Sequence, residues 1–262
     1  MTICIAAICK GESDEELIVL ATDRMISVPQ VGQFEMSLNK YKKIAKNVVA
    51  MLSGESLIFS EIVRECGEIG FDEMKIKIQQ NMLSIRDDRI QKQILDIYKI
   101  SHNQLQEFLK VPLQNPFHTT MLESVSKFSL KTNVLLAGFK EATAQIAEIT
   151  ESQMVDIRDL NFGAVGSGGP QALNTMLFQR HSRADSLPTA IYNVYKAKRT
   201  AETSIGVGKE TDMMVMSESG VVNISEAKIE NLKLIYEQEL NYGKNSAEAL
   251  KPIVPLTDEK IT

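Results

Sequence analysis

The chain has no tryptophan, three histidines and three cysteines among 262 residues. His102 and His118 are far apart and have no acidic neighbours at metal-ligand spacing, so no metal is expected and a histidine-based mechanism has little to draw on. Cys4, Cys9 and Cys66 are too few and too irregularly spaced for a zinc site or a disulfide framework. Cys4 lies inside an apolar strand pattern, which marks it as a small core side chain rather than a thiol nucleophile. No apolar run is long enough to span a bilayer, and Met1-Thr2-Ile3-Cys4 lacks the basic start of a secretory signal, so a cytoplasmic location is expected with no membrane partner. The net charge is −5, and lysine and arginine are scattered. A nucleic-acid-binding stripe is therefore not expected.

What is present suits a globular chain. An apolar fraction of 44% against 24% charged residues supplies ample core for one large domain or two small ones. Residues 3–9 and 16–22 are β-branched, apolar runs joined by the polar loop Lys10-Gly11-Glu12-Ser13-Asp14-Glu15, which predicts a hairpin. Further strands are expected at 33–37, 42–44 and 48–53. From Glu55 the period becomes helical, through Leu57, Ile58, Ile62 and Val63. A second helix follows, capped by Asp72 and carrying Met74, Ile78, Met82 and Ile85 on its buried stripe. Its pattern continues to Leu109. Residues 111–127, with Pro112 and Pro116, read as a long connection. Strands resume at 133–139, 143–149 and 162–165. Gly166-Ser167-Gly168-Gly169-Pro170 then leads into helices at 171–180 and, from Ser186 and Pro188, to about 203. A last hairpin spans 212–224. A final helix is expected at 226–240, with a loosely held tail from Asn241. The alternation of strand and helix blocks predicts an α+β domain over 1–240, in which two antiparallel sheets stack between helix pairs as a four-layer αββα sandwich. A helical insertion is expected at about 85–127.

Thr2 is small enough for an aminopeptidase to remove Met1, which would leave a threonine with a free α-amine beside its hydroxyl. An amine with pKa near 8 can serve that weak nucleophile as general base. No further propeptide precedes Thr2, so precursor processing is not expected. Thr2 leads a strand, Leu20-Ala21-Thr22-Asp23-Arg24 ends the next, and Lys40-Tyr41-Lys42-Lys43-Ile44 follows. Ala50-Met51-Leu52-Ser53-Gly54 precedes the first helices and Gly166-Ser167-Gly168-Gly169 the second set. In order and spacing the chain resembles the proteasome β-subunit family of N-terminal-nucleophile hydrolases over residues 2–65 and 131–225.

That resemblance implies a threonine-type peptidase without a cofactor. Thr2 would be the nucleophile, Asp23 the partner of a catalytic lysine, and Ser167 a hydrogen-bonding group near the amine. A backbone N–H near Gly54 would be the oxyanion donor. The family's lysine position falls on Asn39 here, so Lys40 is the favoured candidate, although a one-residue slip reverses the face of a strand side chain. Ser204 stands for the family's serine in the second helix region, with Glu202 the nearest acid. The resemblance further implies a peptide or unfolded-protein substrate, a homo-oligomeric ring and an ATP-dependent unfoldase partner. Plainer readings stand beside these roles: Asp23 as a strand terminator, Ser167 as a helix cap, Lys40 as a surface charge. A non-catalytic, assembly-forming protein of the same fold and an amidase or transpeptidase on a specialised substrate are the alternative functions.

Overall fold

The computed structural model describes residues 2–28, 32–35, 39–67, 69–110 and 116–249. Strands β1 (Ile3–Lys10) and β2 (Glu16–Asp23) form the expected hairpin, with Cys4 opposite Thr22 and Ile8 opposite Ile18. The short strands β3 (Met25–Val28) and β4 (Gly32–Glu35) pair with each other. Next come β5 (Tyr41–Ala45) and β6 (Val48–Ser53), then helices α1 (Phe59–Ile62), α2 (Phe71–Ile90), α3 (His102–Leu109) and α4 (Pro116–Lys127). Strands β7 (Asn133–Lys140), β8 (Thr143–Ile149), β9 (Met154–Asp156) and β10 (Phe162–Gly166) lead to helices α5 (Gly169–Phe178) and α6 (Leu187–Ala201). Strands β11 (Thr211–Ser217) and β12 (Gly220–Asn223) precede α7 (Glu226–Ala249).

The fold is α+β, with two antiparallel five-stranded sheets ordered β10-β1-β2-β11-β12 and β5-β6-β7-β8-β9. The sheets bury a shared core because their central strands are apolar on both faces. One face of β1 and β2 sends Cys4, Ala6, Ile8, Ile18 and Leu20 against Val49, Met51, Leu135, Ala137 and Ile146 of the other sheet. The alternate residues Ile3, Ile5 and Ala7 are also fully buried, on the side where α6 packs against β1 and β2. On the far face of the second sheet, Ala50, Leu52, Val134 and Leu136 meet Phe59, Ile62, Met74, Ile78 and Met82 of α1 and α2. The chain divides into two compact units, Met1–Asn223 and Ile224–Thr262, the second consisting of α7 among its described residues.

Several expectations need correction. Gly70, not Asp72, caps α2; Asp72 sits in its first turn, where its carboxylate pairs with Lys75 and Lys140. The helical pattern to Leu109 is broken after Ile90 by a π-turn at Gln91–Leu95 and a 3-10 turn at Asp96–Tyr98, ending on Lys99 with φ +57°. Periodicity misses this, because Ile90, Leu95, Leu105 and Met121 share a small core of their own. Residues 116–127 form α4 rather than a connection, Pro116 being tolerated at the helix start; 111–115 lie outside the described residues. The strand read at 33–37 is β4, ending at Glu35 beside the unexpected β3; residues 36 and 37 lie outside the described residues. Strand β9 is a short edge with no apolar run to announce it. Helix α7 extends to Ala249, beyond the 240 expected, and the rest of the tail lies outside the described residues. Among the described residues no helix is long and apolar enough to cross a membrane.

Leu135 is fully buried between the sheets. Leu135→Ala is expected to destabilise the protein by about 2–5 kcal/mol, read as a shift in the denaturant midpoint at unchanged slope.

Candidate active site

Three of the residues singled out in the sequence lie within hydrogen-bond reach of one another at the end of the first sheet. Thr2, immediately before β1, donates its hydroxyl to Asp23 Oδ1 and accepts from Lys40 Nζ. Lys40 Nζ also donates to Asp23 Oδ1 at 2.7 Å. The hairpin explains the first contact: with Cys4 opposite Thr22, the start of β1 and the end of β2 are adjacent, and Ile3 N–H donates to the same carboxylate oxygen at 3.0 Å. Lys40 arrives from the other sheet. It precedes β5 rather than lying in it, so strand alternation does not dictate its direction, and its carbonyl accepts from Leu52 N–H on β6 at 2.9 Å. Asn39 is exposed.

Asp23 is fully buried, and its second oxygen is also held, by Gly208 N–H at 2.9 Å and Met25 N–H at 3.2 Å. Burial alone would raise the pKa of this carboxyl. The Lys40 ammonium and the hydrogen bonds from Thr2 and Ile3 outweigh it and hold Asp23 below the usual carboxylate range. The carboxylate therefore fixes both the nucleophile candidate and the cation beside it. Lys40 is only 8% exposed, which distinguishes it from a solvated surface lysine.

The backbone of Thr2 is held as well. Its carbonyl accepts from Gly168 N–H at 3.4 Å and Ser167 Oγ at 3.4 Å. The single Ser167 hydroxyl proton is shared between the Thr2 carbonyl and the Ile205 carbonyl at 3.3 Å, so it ties Thr2 to the loop after α6. The residue at the N-cap position of α5 is Gly168, not Ser167. Gly166 is required by geometry: at φ +108°, a Cβ there would lie 2.2 Å from the Thr2 carbonyl oxygen. Gly54 has φ +122° and no room for a side chain against Lys131 and Thr132; it lies two residues beyond Leu52, the strand position bonded to Lys40.

Ser204 is not brought into hydrogen bonding with Thr2: its buried hydroxyl has no partner among the described residues. Glu202 points elsewhere, paired with Lys198 at 2.6 Å and Arg199 at 3.0 Å. Sequence reasoning missed Met25 and Gly208, and it named Gly166 as part of the Gly166-Ser167-Gly168-Gly169 motif without giving it a role. Only Gly206-Val207-Gly208, a glycine-bearing link between helix and strand, carried a signal, and nothing in it pointed at Asp23. Among the described residues no group of three or more His, Cys, Asp and Glu side chains could hold a metal ion. The arrangement can polarise one hydroxyl. An ammonium donates to its oxygen, a carboxylate takes its proton's hydrogen bond, and both charged groups are out of water.

Replacing Asp23 by asparagine leaves the Lys40 ammonium without a counter-charge in a buried site, and is expected to cost about 3–5 kcal/mol at neutral pH. Because the folded carboxyl titrates below its unfolded value, its contribution is present above the unfolded pKa and is lost as pH falls through the folded one. Wild-type stability is thus expected to fall more steeply than that of Asp23→Asn below about pH 4 in denaturant titrations across the acid range. No protein-family model and no curated protein sequence matches this chain.

Proposed function

We propose that the chain is a threonine-type peptidase with the αββα architecture of N-terminal-nucleophile hydrolases, cleaving peptide bonds through an acyl-enzyme on Thr2. One observation carries the reading: the Thr2 hydroxyl is shared between the Lys40 ammonium and the Asp23 carboxylate at the start of a central strand. Removal of Met1 gives Thr2 a free α-amine, which takes the hydroxyl proton as the oxygen attacks the substrate carbonyl. The Lys40 ammonium stabilises the developing alkoxide. A full charge at contact distance is worth about 1 kcal/mol in water and several times that in a site shielded from it. The tetrahedral intermediate collapses to an ester as the protonated amine gives its proton to the leaving nitrogen. Water, deprotonated by the same amine, then hydrolyses the ester and restores Thr2.

Other groups are assigned smaller parts. Ser167 holds the Thr2 carbonyl and so the direction of the amine. From the resemblance, the Gly54 backbone N–H is assigned to the carbonyl oxygen as it becomes anionic and Ser204 to the new amine; the Ser204 hydroxyl has no partner among the described residues. On this reading the enzyme is cytoplasmic and assembles into a homo-oligomeric ring that limits access to peptides and unfolded chains. An ATP-dependent unfoldase is the corresponding partner.

The test has three parts. Intact mass is expected to show loss of one methionine, whereas a retained Met1 blocks the amine and favours a non-catalytic, assembly-forming protein. Thr2→Ala is expected to abolish hydrolysis of fluorogenic peptides while leaving the oligomer unchanged on size exclusion; equal rates in mutant and wild type would refute the mechanism. Lys40→Ala is expected to lower kcat by at least about 1,000-fold, since one oxyanion-type stabilising group alone is worth about 100–1,000-fold and this one also fixes the nucleophile.

A further inference from the structure

Lys198, on the last turn of α6, has no exposed surface. A surface Lys–Glu pair four residues apart would steady a helix end without burial, whereas removing an ammonium from water costs several kcal/mol that a counter-charge and well-placed acceptors must offset. Here Nζ donates to Glu202 Oε1 at 2.6 Å and to the backbone carbonyl of Lys209 at 2.6 Å. Glu202 is steadied in turn by Arg199 at 3.0 Å. On its other side the same loop is gripped by Glu35 of β4, which accepts from the N–H groups of Lys209 and, at 3.1 Å, Glu210. Immediately before these clasped residues lies Gly208, whose N–H donates to Asp23 Oδ2 at 2.9 Å. A side chain at Gly208 would meet Glu35 Oε1 at 2.7 Å and Met25 Cβ at 2.9 Å, so the loop fits closely.

We propose that Lys198 is a positioning residue for the Thr2 site: by fixing the carbonyl of Lys209, the residue after Gly208, its ammonium helps to hold the Gly208 amide on the outer oxygen of Asp23. The inner oxygen is then left for Thr2, Ile3 and Lys40. The inference rests on the proposed function. Burial pushes the Lys198 pKa down, while Glu202 and, more weakly, Asp23 draw it back up, which places the ammonium within electrostatic reach of the Asp23 carboxylate. Without the Gly208 bond the outer oxygen keeps only the longer bond from Met25 N–H at 3.2 Å, and the carboxylate is freer to turn about its own axis. A displacement near 1 Å at a catalytic group is enough to cost about 100-fold in rate.

The experiment compares wild type, Lys198→Met, Gly208→Ala and the double variant in the full-length protein, with Thr2→Ala as the blank. Lys198→Met is expected to lower kcat on a fluorogenic peptide by about 10–100-fold with KM within about twofold, because peptide binding is untouched. Gly208→Ala is expected to do the same, and the double variant to be no slower than the slower single, since both act through one bond. An unchanged kcat in folded Lys198→Met overturns the proposal, and so do single effects that multiply in the double. Lys198→Gln, which keeps a donor but shortens its reach, carries the same expectation if the methionine variant does not fold. A carbon-13 titration of the Asp23 carboxyl separates this inference from the function. If wild type shows no Thr2-dependent turnover, the peptidase reading fails, but an upward shift of the carboxyl midpoint in the Lys198 variant still supports the coupling and an unmoved midpoint refutes it.

Discussion

A buried ion pair at the end of a sheet is the constraint on which the described site depends. Asp23 and Lys40 come from opposite sheets, and each is removed from water. Neither is tolerable alone, because an unpaired buried charge costs several kcal/mol. Their pairing therefore fixes how the ends of β2 and β5 approach each other. Thr2 sits against both members of the pair, its hydroxyl donating to the carboxylate and accepting from the ammonium. The close backbone approaches nearby, at Gly166 against the Thr2 carbonyl and Gly208 against Glu35, serve the same geometry.

The central strands were legible in the sequence because burial on both faces leaves uninterrupted apolar runs. Strands β1, β2 and β6 are of this kind, and their expected spans differ from those observed by a residue at most. Elements whose identity is set by neighbours were not legible. Among the described residues strand β3 pairs with β4 alone, β9 is a three-residue edge, and α4 begins at a proline that suggested a connection. The break after Ile90 escaped notice because apolar residues recur through it; they turn to a different core without losing their spacing.

At the site, side chains with a local sequence setting could be singled out: Thr2 before a strand, Asp23 after one, Lys40 at the head of a basic run. A one-residue slip made Lys40 doubtful only on the assumption that it lies within a strand, and it precedes β5 instead. The backbone donors were out of reach of any sequence argument. Gly208 bonds Asp23 across 185 residues, and Lys198 reads locally as one more cation on a helix rich in them.

These separations govern when the cluster can exist. Thr2 meets Asp23 across 21 residues and Lys40 across 38, but Ser167 across 165. Thr2, Asp23 and Lys40 are thus close together along the chain, whereas the Gly208 amide that holds the second oxygen of Asp23 lies 185 residues beyond it. Contacts of such long range form late in folding, since closing large loops precedes any gain from them. Until those contacts close, the carboxylate beside Thr2 lacks the Gly208 amide that holds its second oxygen, and the hydroxyl it bonds is not yet fixed in place.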